Sequence, residues 1–373
     1  MTSATETRTG PVGVGIIGAG VISKTYVENL NSFPDTNVLA IGDLYAELAQ
    51  TKAQEYGIPT GGGVDAVLDH PDVEIVVNLT IPAAHAEVAG QAVTAGKHVW
   101  NEKPLSLDLA SGAALLEAAD RAGLRVGCAP DTFLGSGLQA VSKVLQRGDI
   151  GDPLTALILL QSPGPESWHP NPAFLFAEGA GPLFDIGPYY FTALVQQFGP
   201  VARVAALGGK SRAKRTIGSG PKAGEEFEVT VPTHVSALVQ FESGQSAQCM
   251  FSFDSAMPRT LLEINGTKAT LVVPDPNTFG GDVQIRFPGK EEEVRTLEST
   301  TEQSSRGTGV LDMARAIRAG QPHRAQGALA YHVLDIMVSI SDAVETGEWT
   351  AVESTVDVAP TLPDDWDPKA RTL

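Results

Sequence analysis

The stretch VGVGIIGAGVIS, residues 12–23, joins a short apolar run to a glycine-rich turn and then to a helical pattern. Gly18 permits a tight turn after the strand, and Gly20 lets a pyrophosphate approach the backbone where the helix N-terminus favours negative charge. Ser23 stands at the third glycine of a G-x-G-x-x-G pattern and is small enough to keep helix and strand close. A tight strand–helix turn without a ligand is the alternative. The pattern predicts a dinucleotide site that includes Gly18, Gly20, Val21 and Ile22.

Asp43 strengthens this prediction because it ends the second predicted strand, NVLAIGD (37–43). Its distance from the glycines is close to the spacing of about 20 residues at which a carboxylate accepts hydrogen bonds from ribose hydroxyls. The same carboxylate would repel a 2′-phosphate. We therefore expect NAD to be the preferred cofactor, without excluding NADP. The alternative role for Asp43 is a helix N-cap.

Strand and helix patterns alternate up to about residue 130, as in VEIVVNLT (73–80) and HAEVAGQAVTAG (85–96). Beyond that point the strands become longer, and turns such as ESGQ (242–245) and NGTK (265–268) indicate hairpins. We expect a Rossmann dinucleotide-binding domain at 1–130, with a doubly wound parallel sheet. A C-terminal α/β substrate-binding and oligomerisation domain is expected at 131–373, with a large, mostly antiparallel open sheet and helices on one face.

The uncovered face of that sheet should carry either Val239, Phe241 and Met250 or the residues that alternate with them. Such a face tends to be buried by a partner. We therefore expect a homodimer or homotetramer built through this face.

Composition excludes several function classes. A net charge of −18 argues against nucleic acid and anionic membrane surfaces as partners. The two cysteines, Cys128 and Cys249, do not form a spaced framework, which fits a reducing cytoplasm. The start of the chain does not resemble a signal peptide, and no apolar run predicts a membrane span. Scattered histidines give no metal-binding pattern, and no G-x-S-x-G elbow indicates a hydrolase.

The segment NEKPLS (101–106) follows a predicted strand at the edge of the parallel sheet where such folds bind ligands. Lys103 precedes a proline, which holds its backbone extended. A solvated Glu-Lys-Pro turn is the alternative on local sequence alone.

GIIGAG, the strand-ending Asp43, TIPAAH (80–85), NEKPLS and DIGPYY (185–190) occur in an order that resembles the Gfo/Idh/MocA oxidoreductase family. The resemblance covers nearly the whole chain. It implies a nicotinamide in the Rossmann domain and a sugar or polyol beside it. It also implies that Thr80, Pro82, Glu102, Lys103 and Pro104 contact the cofactor, with Pro104 in the cis form, whereas His85 starts the next helix.

The family's third motif is D-x-G-x-H, and here it is Asp185-Ile186-Gly187-Pro188-Tyr189, so tyrosine replaces histidine. The resemblance then implies Tyr189 as the acid/base. Because tyrosine titrates near ~10, a cation must lower its pKa, and Lys103 is the candidate. Asp185 would orient a substrate hydroxyl or Lys103. Without catalysis, Asp185 would be an N-cap, Pro188 would occupy a first helical turn, and Tyr189 would pack.

PESWHPNPAFLF (165–176) is aromatic and proline-stiffened. By resemblance to inositol dehydrogenases, Trp168, His169 and Asn171 are candidates for stacking on a sugar and bonding its hydroxyls. An ordered loop without a ligand is the alternative. Three rivals to a sugar dehydrogenase stay open: a transhydrogenase with retained cofactor, which Asp43 disfavours; a reductase of a non-sugar; and an NAD-binding sugar sensor.

Overall fold

The computed structural model describes residues 9–290, 292–297 and 304–373, which form two compact units. The predicted domains are two consecutive segments, whereas unit 1 also includes two segments from later in the chain. Unit 1 comprises the described residues of Met1–Leu134, Thr301–Ala330 and Leu362–Leu373, and unit 2 comprises those of Gly135–Thr300 and Tyr331–Thr361.

The sheet of unit 1 has six strands, all parallel: β1 (Val12–Ile17), β2 (Thr36–Gly42), β3 (Thr60–Gly62), β4 (Ile75–Asn78), β5 (His98–Asn101) and β6 (Val126–Cys128). Their order is β3-β2-β1-β4-β5-β6. This is the doubly wound order, in which the chain starts at the centre and proceeds to either edge, so that ligands bind at the carboxyl ends near the reversal between β1 and β4. The predicted parallel sheet is confirmed.

Unit 2 is built on a nine-stranded sheet in the order β16-β15-β14-β13-β7-β12-β11-β8-β17, and β9 and β10 pair separately. The sheet is mostly antiparallel, as predicted, but β7 and β12 run parallel. The strands are β7 (Pro153–Gln161), β8 (Val201–Gly209), β9 (Lys214–Thr216), β10 (Glu226–Glu228), β11 (His234–Phe241), β12 (Ser246–Ser252), β13 (Arg259–Gly266), β14 (Thr270–Val273), β15 (Val283–Arg286), β16 (Val294–Leu297) and β17 (Thr350–Ala351).

Helices alternate with the strands of unit 1, and Gly57 ends the second helix in the left-handed conformation. The helices are α1 (Ser23–Leu30), α2 (Ala46–Tyr56), α3 (Asp65–Leu68), α4 (His85–Thr94), α5 (Leu109–Arg121), α6 (Ser136–Gln146), α7 (Gly181–Phe198), α8 (Thr308–Ala319) and α9 (Gly327–Thr346).

One face of the large sheet is covered by α6, which packs against β14 and β15, and by α7, which packs against β11 and β12. The Phe251 ring lies 5.9 Å from Tyr190, and the Phe241 ring lies 5.0 Å from Phe198. These aromatic contacts fix α7 on the sheet.

The residues predicted for the uncovered face are split between the two faces. Val239 and Phe241 are both 1% exposed and lie under the helices, so in their strand the second predicted alternative holds and the alternating residues form the uncovered face. Met250 pairs with Leu159 and Ser236 on the other side of the sheet, because successive residues of a strand point to opposite faces. The face without helices, called the open face below, carries the apolar residues Leu157, Leu159, Leu207, Leu238 and Met250.

Helix α9 is, within the described part of the chain, the one helix long and apolar enough to cross a membrane by length and composition. Its side chains Leu334, Ile336, Met337 and Ile340 are almost fully buried in the fold. This burial is typical of a helix in the core of a folded domain.

Candidate active site

The glycine loop between β1 and α1 has the geometry that a dinucleotide needs. Gly18 has φ +108°, and a Cβ there would lie 2.6 Å from the carbonyl oxygen of Leu79 on the neighbouring strand connection. Gly20 is exposed, and a Cβ there would meet no protein atom within 4 Å. Ser23 is buried, and its hydroxyl donates to the Gly20 carbonyl oxygen at 2.7 Å. The loop is therefore fixed by Gly18 and Ser23 while Gly20 leaves open space.

Asp43 is held beside this loop by two backbone amides. Its Oδ2 accepts from Ala19 N at 2.7 Å, and its Oδ1 accepts from Tyr45 N at 2.9 Å. Helix α2 starts at Ala46 and has no side-chain N-cap, so the alternative of Asp43 as an N-cap is wrong. Because a carboxylate has about four acceptor positions, Asp43 keeps capacity for ribose hydroxyls.

These residues fit a dinucleotide. The open space at Gly20 lies just before the start of α1, where the dipole of a helix favours negative charge. Exposed apolar side chains surround the strand ends: Val21 is 97% exposed, and Leu44, Tyr45 and Ile81 are also largely exposed. Such side chains suit the faces of an adenine ring, whereas the Asp43 carboxylate suits a ribose.

Two buried asparagines join the ends of β4 and β5. Asn78 donates through Nδ2 to Asn101 Oδ1 at 2.9 Å and accepts at Oδ1 from the Thr80 hydroxyl at 2.7 Å. Asn101 in turn donates to the Leu105 carbonyl oxygen at 3.1 Å. Hydrogen bonds of these two asparagines therefore connect the segment at Thr80 with NEKPLS, which are two of the segments predicted to contact the cofactor.

The peptide bond between Lys103 and Pro104 is cis, as the family resemblance implied. His85 begins α4, as predicted, but it also lies buried with Nδ1 at 2.6 Å from the Pro104 carbonyl oxygen and Nε2 at 3.1 Å from that of Thr80. Burial lowers the pKa of His85, and because a neutral imidazole carries one N–H, its tautomer determines which of the two carbonyl oxygens accepts the hydrogen bond. Sequence reasoning missed this clamp; its signal was a histidine directly after the Thr80–Pro82 loop.

Glu102 is buried and holds the same segment from the other side. Its Oε1 accepts from the Tyr26 hydroxyl at 2.8 Å, and its Oε2 accepts from Lys103 N at 3.0 Å. Burial and the neighbouring Glu102 charge raise the pKa of Tyr26, so the phenol remains a neutral donor. The carboxylate of Glu102 therefore fixes the backbone of Lys103.

Asp185 and Tyr189 lie inside α7, which starts at Gly181. Asp185 is thus one turn into the helix and Pro188 is in its interior, so the alternatives of an N-cap and a first-turn proline are wrong. The i, i+4 spacing places Asp185 and Tyr189 on the same face, as predicted. Asp185 is partly accessible, whereas Tyr189 is 5% exposed. The helix therefore presents an acid beside a nearly buried phenol.

The loop at residues 163–176, called the candidate substrate loop below, contains the predicted sugar contacts. Trp168 is 68% exposed, and its ring lies edge to face with His169 at 5.5 Å. His169 accepts at Nδ1 from Asn171 N at 3.1 Å. The loop thus brings the three predicted residues together, with an aromatic face open for a ligand.

Sequence reasoning missed the short hairpin of β9 and β10, residues 214–228, called the arm below. Its strands are three residues long each, which is too short for a pattern of alternating apolar residues. The arm carries Arg215, a buried arginine whose partners are distant in sequence.

Among residues 9–290, 292–297 and 304–373, no three His, Cys, Asp or Glu side chains are grouped as metal ligands.

Comparison with known proteins identifies both parts of the chain. Residues 12–129 match the model of the GFO_IDH_MocA oxidoreductase family with an NAD-binding Rossmann fold. Residues 138–272 match the GFO/IDH/MocA C-terminal domain.

The sequence identities to individual relatives are low. The chain is 24% identical to trans-1,2-dihydrobenzene-1,2-diol dehydrogenase of Bos taurus over 82% of this chain and 86% of the relative. It is 26% identical to 1,5-anhydro-D-fructose reductase of Ensifer adhaerens over 69% of this chain and 74% of the relative. A solved levoglucosan dehydrogenase, in complex with NADH and L-sorbose, has the same fold with a TM-score of 0.80, at 21% identity over 92% of this chain and 99% of that one.

The family models cover the glycine loop, Asp43 and NEKPLS in unit 1 and the motif Asp185–Tyr189 in unit 2. The chain therefore belongs to the Gfo/Idh/MocA family and is an NAD(P)-dependent dehydrogenase or reductase acting on CH–OH groups.

Proposed function

We propose that the protein is a dehydrogenase of a sugar, glycoside or polyol in which Tyr189, assisted by Lys103, exchanges the hydroxyl proton. The observation that carries this proposal is the placement of Tyr189 and Asp185 on one face of α7, with tyrosine at the histidine position of the family motif. The similarity to an anhydrofructose reductase, and the shared fold with levoglucosan dehydrogenase, support a sugar-like substrate.

When bound, NAD supplies a hydride acceptor at nicotinamide C4. Tyr189 takes the proton of the substrate hydroxyl during oxidation and returns it during reduction. The ammonium of Lys103 favours the tyrosinate and so lowers the pKa of the phenol. Asp185 orients the substrate hydroxyl or the ammonium of Lys103, while Trp168 stacks on the C–H face of the sugar. His169 and Asn171 bond hydroxyls.

NAD is the proposed cofactor in preference to NADP. Asp43 is fixed by Ala19 N and Tyr45 N, so its charge remains at the ribose position and repels a 2′-phosphate. Thr80, Pro82, Lys103 and Pro104 are proposed to contact the cofactor, together with Gly18, Gly20, Val21 and Ile22. Glu102 acts in this proposal through its bond to Lys103 N.

A second candidate function is the oxidation of a non-sugar diol. The similarity to a dihydrobenzenediol dehydrogenase over most of both chains favours it. The same acid/base and cofactor residues would serve, because only the body of the substrate differs.

The proposal is tested by a screen of NAD+ reduction across sugars, polyols, glycosides and dihydrodiols, with NADP+ in parallel. We expect saturable NADH formation with at least one sugar-like compound. Turnover of dihydrodiols alone would replace the first candidate by the second. Saturable sugar binding without any turnover would indicate a sensor and would contradict the enzyme proposal.

We further propose a homodimer or homotetramer that buries the open face. Leu207 is 75% and Leu238 is 50% exposed on this face. Around these apolar residues, Arg203 donates to Gln240 at 2.7 Å and Arg259 donates to Gln161 at 2.9 Å, forming a polar rim. Light scattering should give a dimer or tetramer at micromolar concentration, and Leu207→Glu should dissociate it. A monomeric parent protein would contradict the proposal.

The cytoplasm is the proposed location. Cys128 and Cys249 are both free and buried, and burial raises the pKa of both thiols. Two protected thiols are compatible with a reducing compartment.

A further inference from the structure

Arg215 of the arm is a buried cation in unit 2. Its side chain is 2% exposed, and its guanidinium lies 4.9 Å from the centre of the Phe176 ring. An arginine at this depth needs partners that satisfy both its charge and its donors.

Two carboxylates from different elements provide these partners. Arg215 forms ion pairs with Glu166 in the candidate substrate loop and with Asp254 after β12. It also donates to the carbonyl oxygens of Pro163 at 3.2 Å and Phe253 at 3.1 Å. One side chain therefore connects the substrate loop to the end of a sheet strand.

The sheet end of this connection is itself fixed. Asp254 accepts from the Thr233 hydroxyl and from the Ser211 hydroxyl, each at 2.6 Å. Burial raises the pKa of Asp254, but these hydrogen bonds and the charge of Arg215 outweigh it, so the pKa is lowered and the carboxylate stays ionised. Arg215 therefore links the candidate substrate loop to the Asp254 carboxylate, whose position is itself fixed by hydrogen bonds.

The loop end depends on Gly164, which has φ +112°. A Cβ at this position would lie 2.2 Å from Glu166 Oε2 and 2.6 Å from Arg215 Nη1. The glycine is therefore required both by the backbone conformation and by the space that the ion pair occupies.

The arm contacts the loop at further points. Gly218 N donates to the Glu166 carbonyl oxygen at 2.8 Å, and Phe227 packs on Phe176 at 5.2 Å between ring centres. Lys222 Nζ lies 3.4 Å from Asn171 Oδ1. The arm is thus a support along the loop from Glu166 to Phe176.

We propose that Arg215 is a positioning residue, which through Glu166 fixes the substrate loop so that Trp168, His169 and Asn171 meet the substrate. The proposal rests on the proposed function, since it assumes that this loop binds the sugar. Arg215 touches neither substrate nor cofactor in this role. Its expected signature is a higher KM for the sugar with an unchanged affinity for NAD.

The test uses Glu166→Ala, because removing Arg215 would leave two carboxylates unpaired and could unfold the protein. Glu166→Ala keeps the Arg215–Asp254 pair and the backbone bonds at Pro163 and Glu166, but it removes the ion pair between Arg215 and the loop. We expect kcat/KM for the sugar to fall by about ten- to hundredfold, mainly through KM, since small displacements of positioning groups have effects of this size. Glu166→Gln, which keeps an acceptor for Arg215, should lie between Glu166→Ala and the parent.

Gly164→Ala should give the same pattern, and Gly244→Ala is its matched control. Gly244 has φ +99°, but a Cβ there meets no atom within 4 Å. Both alanines strain the backbone, whereas only Gly164→Ala intrudes on the Arg215–Glu166 pair. Gly244→Ala should therefore keep the parent KM.

Hydrogen exchange of peptides from residues 163–176 measures loop placement without any sugar. Faster exchange together with a higher KM in Glu166→Ala supports the proposal. Unchanged exchange in Glu166→Ala overturns the proposal. Faster exchange in Glu166→Ala with an unchanged KM also overturns it, provided that Trp168→Ala raises KM and so shows that the loop binds the substrate. If Trp168→Ala leaves KM unchanged, the loop does not bind the substrate, and the proposed function of the loop is wrong. The anchoring of the loop by Arg215 is then tested by hydrogen exchange alone.

Discussion

The glycine loop of unit 1 and the candidate substrate loop of unit 2 are both proposed to bind ligands, yet they are fixed in different ways. The glycine loop is held mainly by local backbone geometry, as at Gly18 and in the bond from Ser23 to Gly20. The substrate loop is held by Arg215, which is 49 residues from Glu166 and 39 from Asp254 along the chain. The proposed nucleotide site is therefore recognisable as a short sequence motif, whereas the proposed substrate site depends on side chains that the fold brings together.

A large effect on the rate is expected for Lys103→Met. The change removes the ammonium but keeps most of the apolar stem, so the fold should survive. Without the cation, the alkaline limb of the pH–rate profile should move upward toward ~10, and kcat should fall by about 10²-fold at neutral pH. Steady-state rates between neutral and alkaline pH measure both changes.

The matched control is Lys52→Met. Lys52 lies on α2 in the same unit and pairs with Glu55 at 3.0 Å on the surface. An equal loss of rate in both variants would show that Lys103 has no special role.

A smaller effect is expected for Asp43→Asn. The amide oxygen can still accept from Ala19 N, whereas the bond from Tyr45 N is lost because an amide nitrogen cannot accept, and the charge that excludes a 2′-phosphate is gone. Loss of a charged hydrogen bond of about 1.5–3 kcal/mol corresponds to at least about a tenfold rise in KM for NAD+. The ratio of kcat/KM for NADP+ to that for NAD+ should rise accordingly. Equal use of both cofactors by the parent protein would show that Asp43 does not discriminate.

The smallest effect is expected on stability rather than on rate. Asp131 is fully buried in unit 1, where Oδ2 accepts from Gly307 N at 3.0 Å and Gly309 N at 2.9 Å. Burial raises the pKa of Asp131 to about 6, above its ordinary value of 3.8. The folded state therefore holds the proton more tightly than the unfolded state, and stability decreases as pH rises from about 4 to about 6. The decrease amounts to at most about 3 kcal/mol and is complete above that window.

Asp131→Asn removes this titration, so the unfolding free energy of the variant relative to that of the parent should increase as pH rises from about 4 to about 6. Burial lowers the pKa of His98 to about 4 and of His323 to about 3. Both histidines have the opposite effect, because the folded state binds their protons less tightly than the unfolded state does, so the stability of the fold decreases as pH falls. The measurement is therefore the difference between variant and parent in urea unfolding at each pH, with the exposed Asp120→Asn as control. A constant difference across the window would contradict the assignment.

The sequence predicted what depends on local geometry. Gly18, Gly20, Asp43 and the cis bond before Pro104 lie where the motifs and the family resemblance placed them. It did not predict the His85 clamp or the arm, because those depend on contacts between separate segments.

Two further differences concern register and helix limits. The pattern left open which face Val239, Phe241 and Met250 share, and the structure separates Met250 from the other two; a shift of one residue reverses a strand's faces, so the pattern alone does not determine them. Asp185 was considered as an N-cap because the glycines at 179 and 181 resemble a loop, whereas α7 already starts at Gly181. Neither choice could be made without the packing partners.

The central claim is that Tyr189 is the acid/base, and it is tested most directly by comparing Tyr189→Phe with Tyr190→Phe. Both tyrosines lie on α7 and are nearly buried, and within the described residues the Tyr190 hydroxyl has no hydrogen-bond partner. With an identified substrate, Tyr189→Phe should lower kcat by about 10²–10⁴-fold while the NAD dissociation constant is unchanged, and Tyr190→Phe should keep the parent rate. Turnover by Tyr189→Phe at close to the parent rate would contradict the account and make Tyr189 a packing residue.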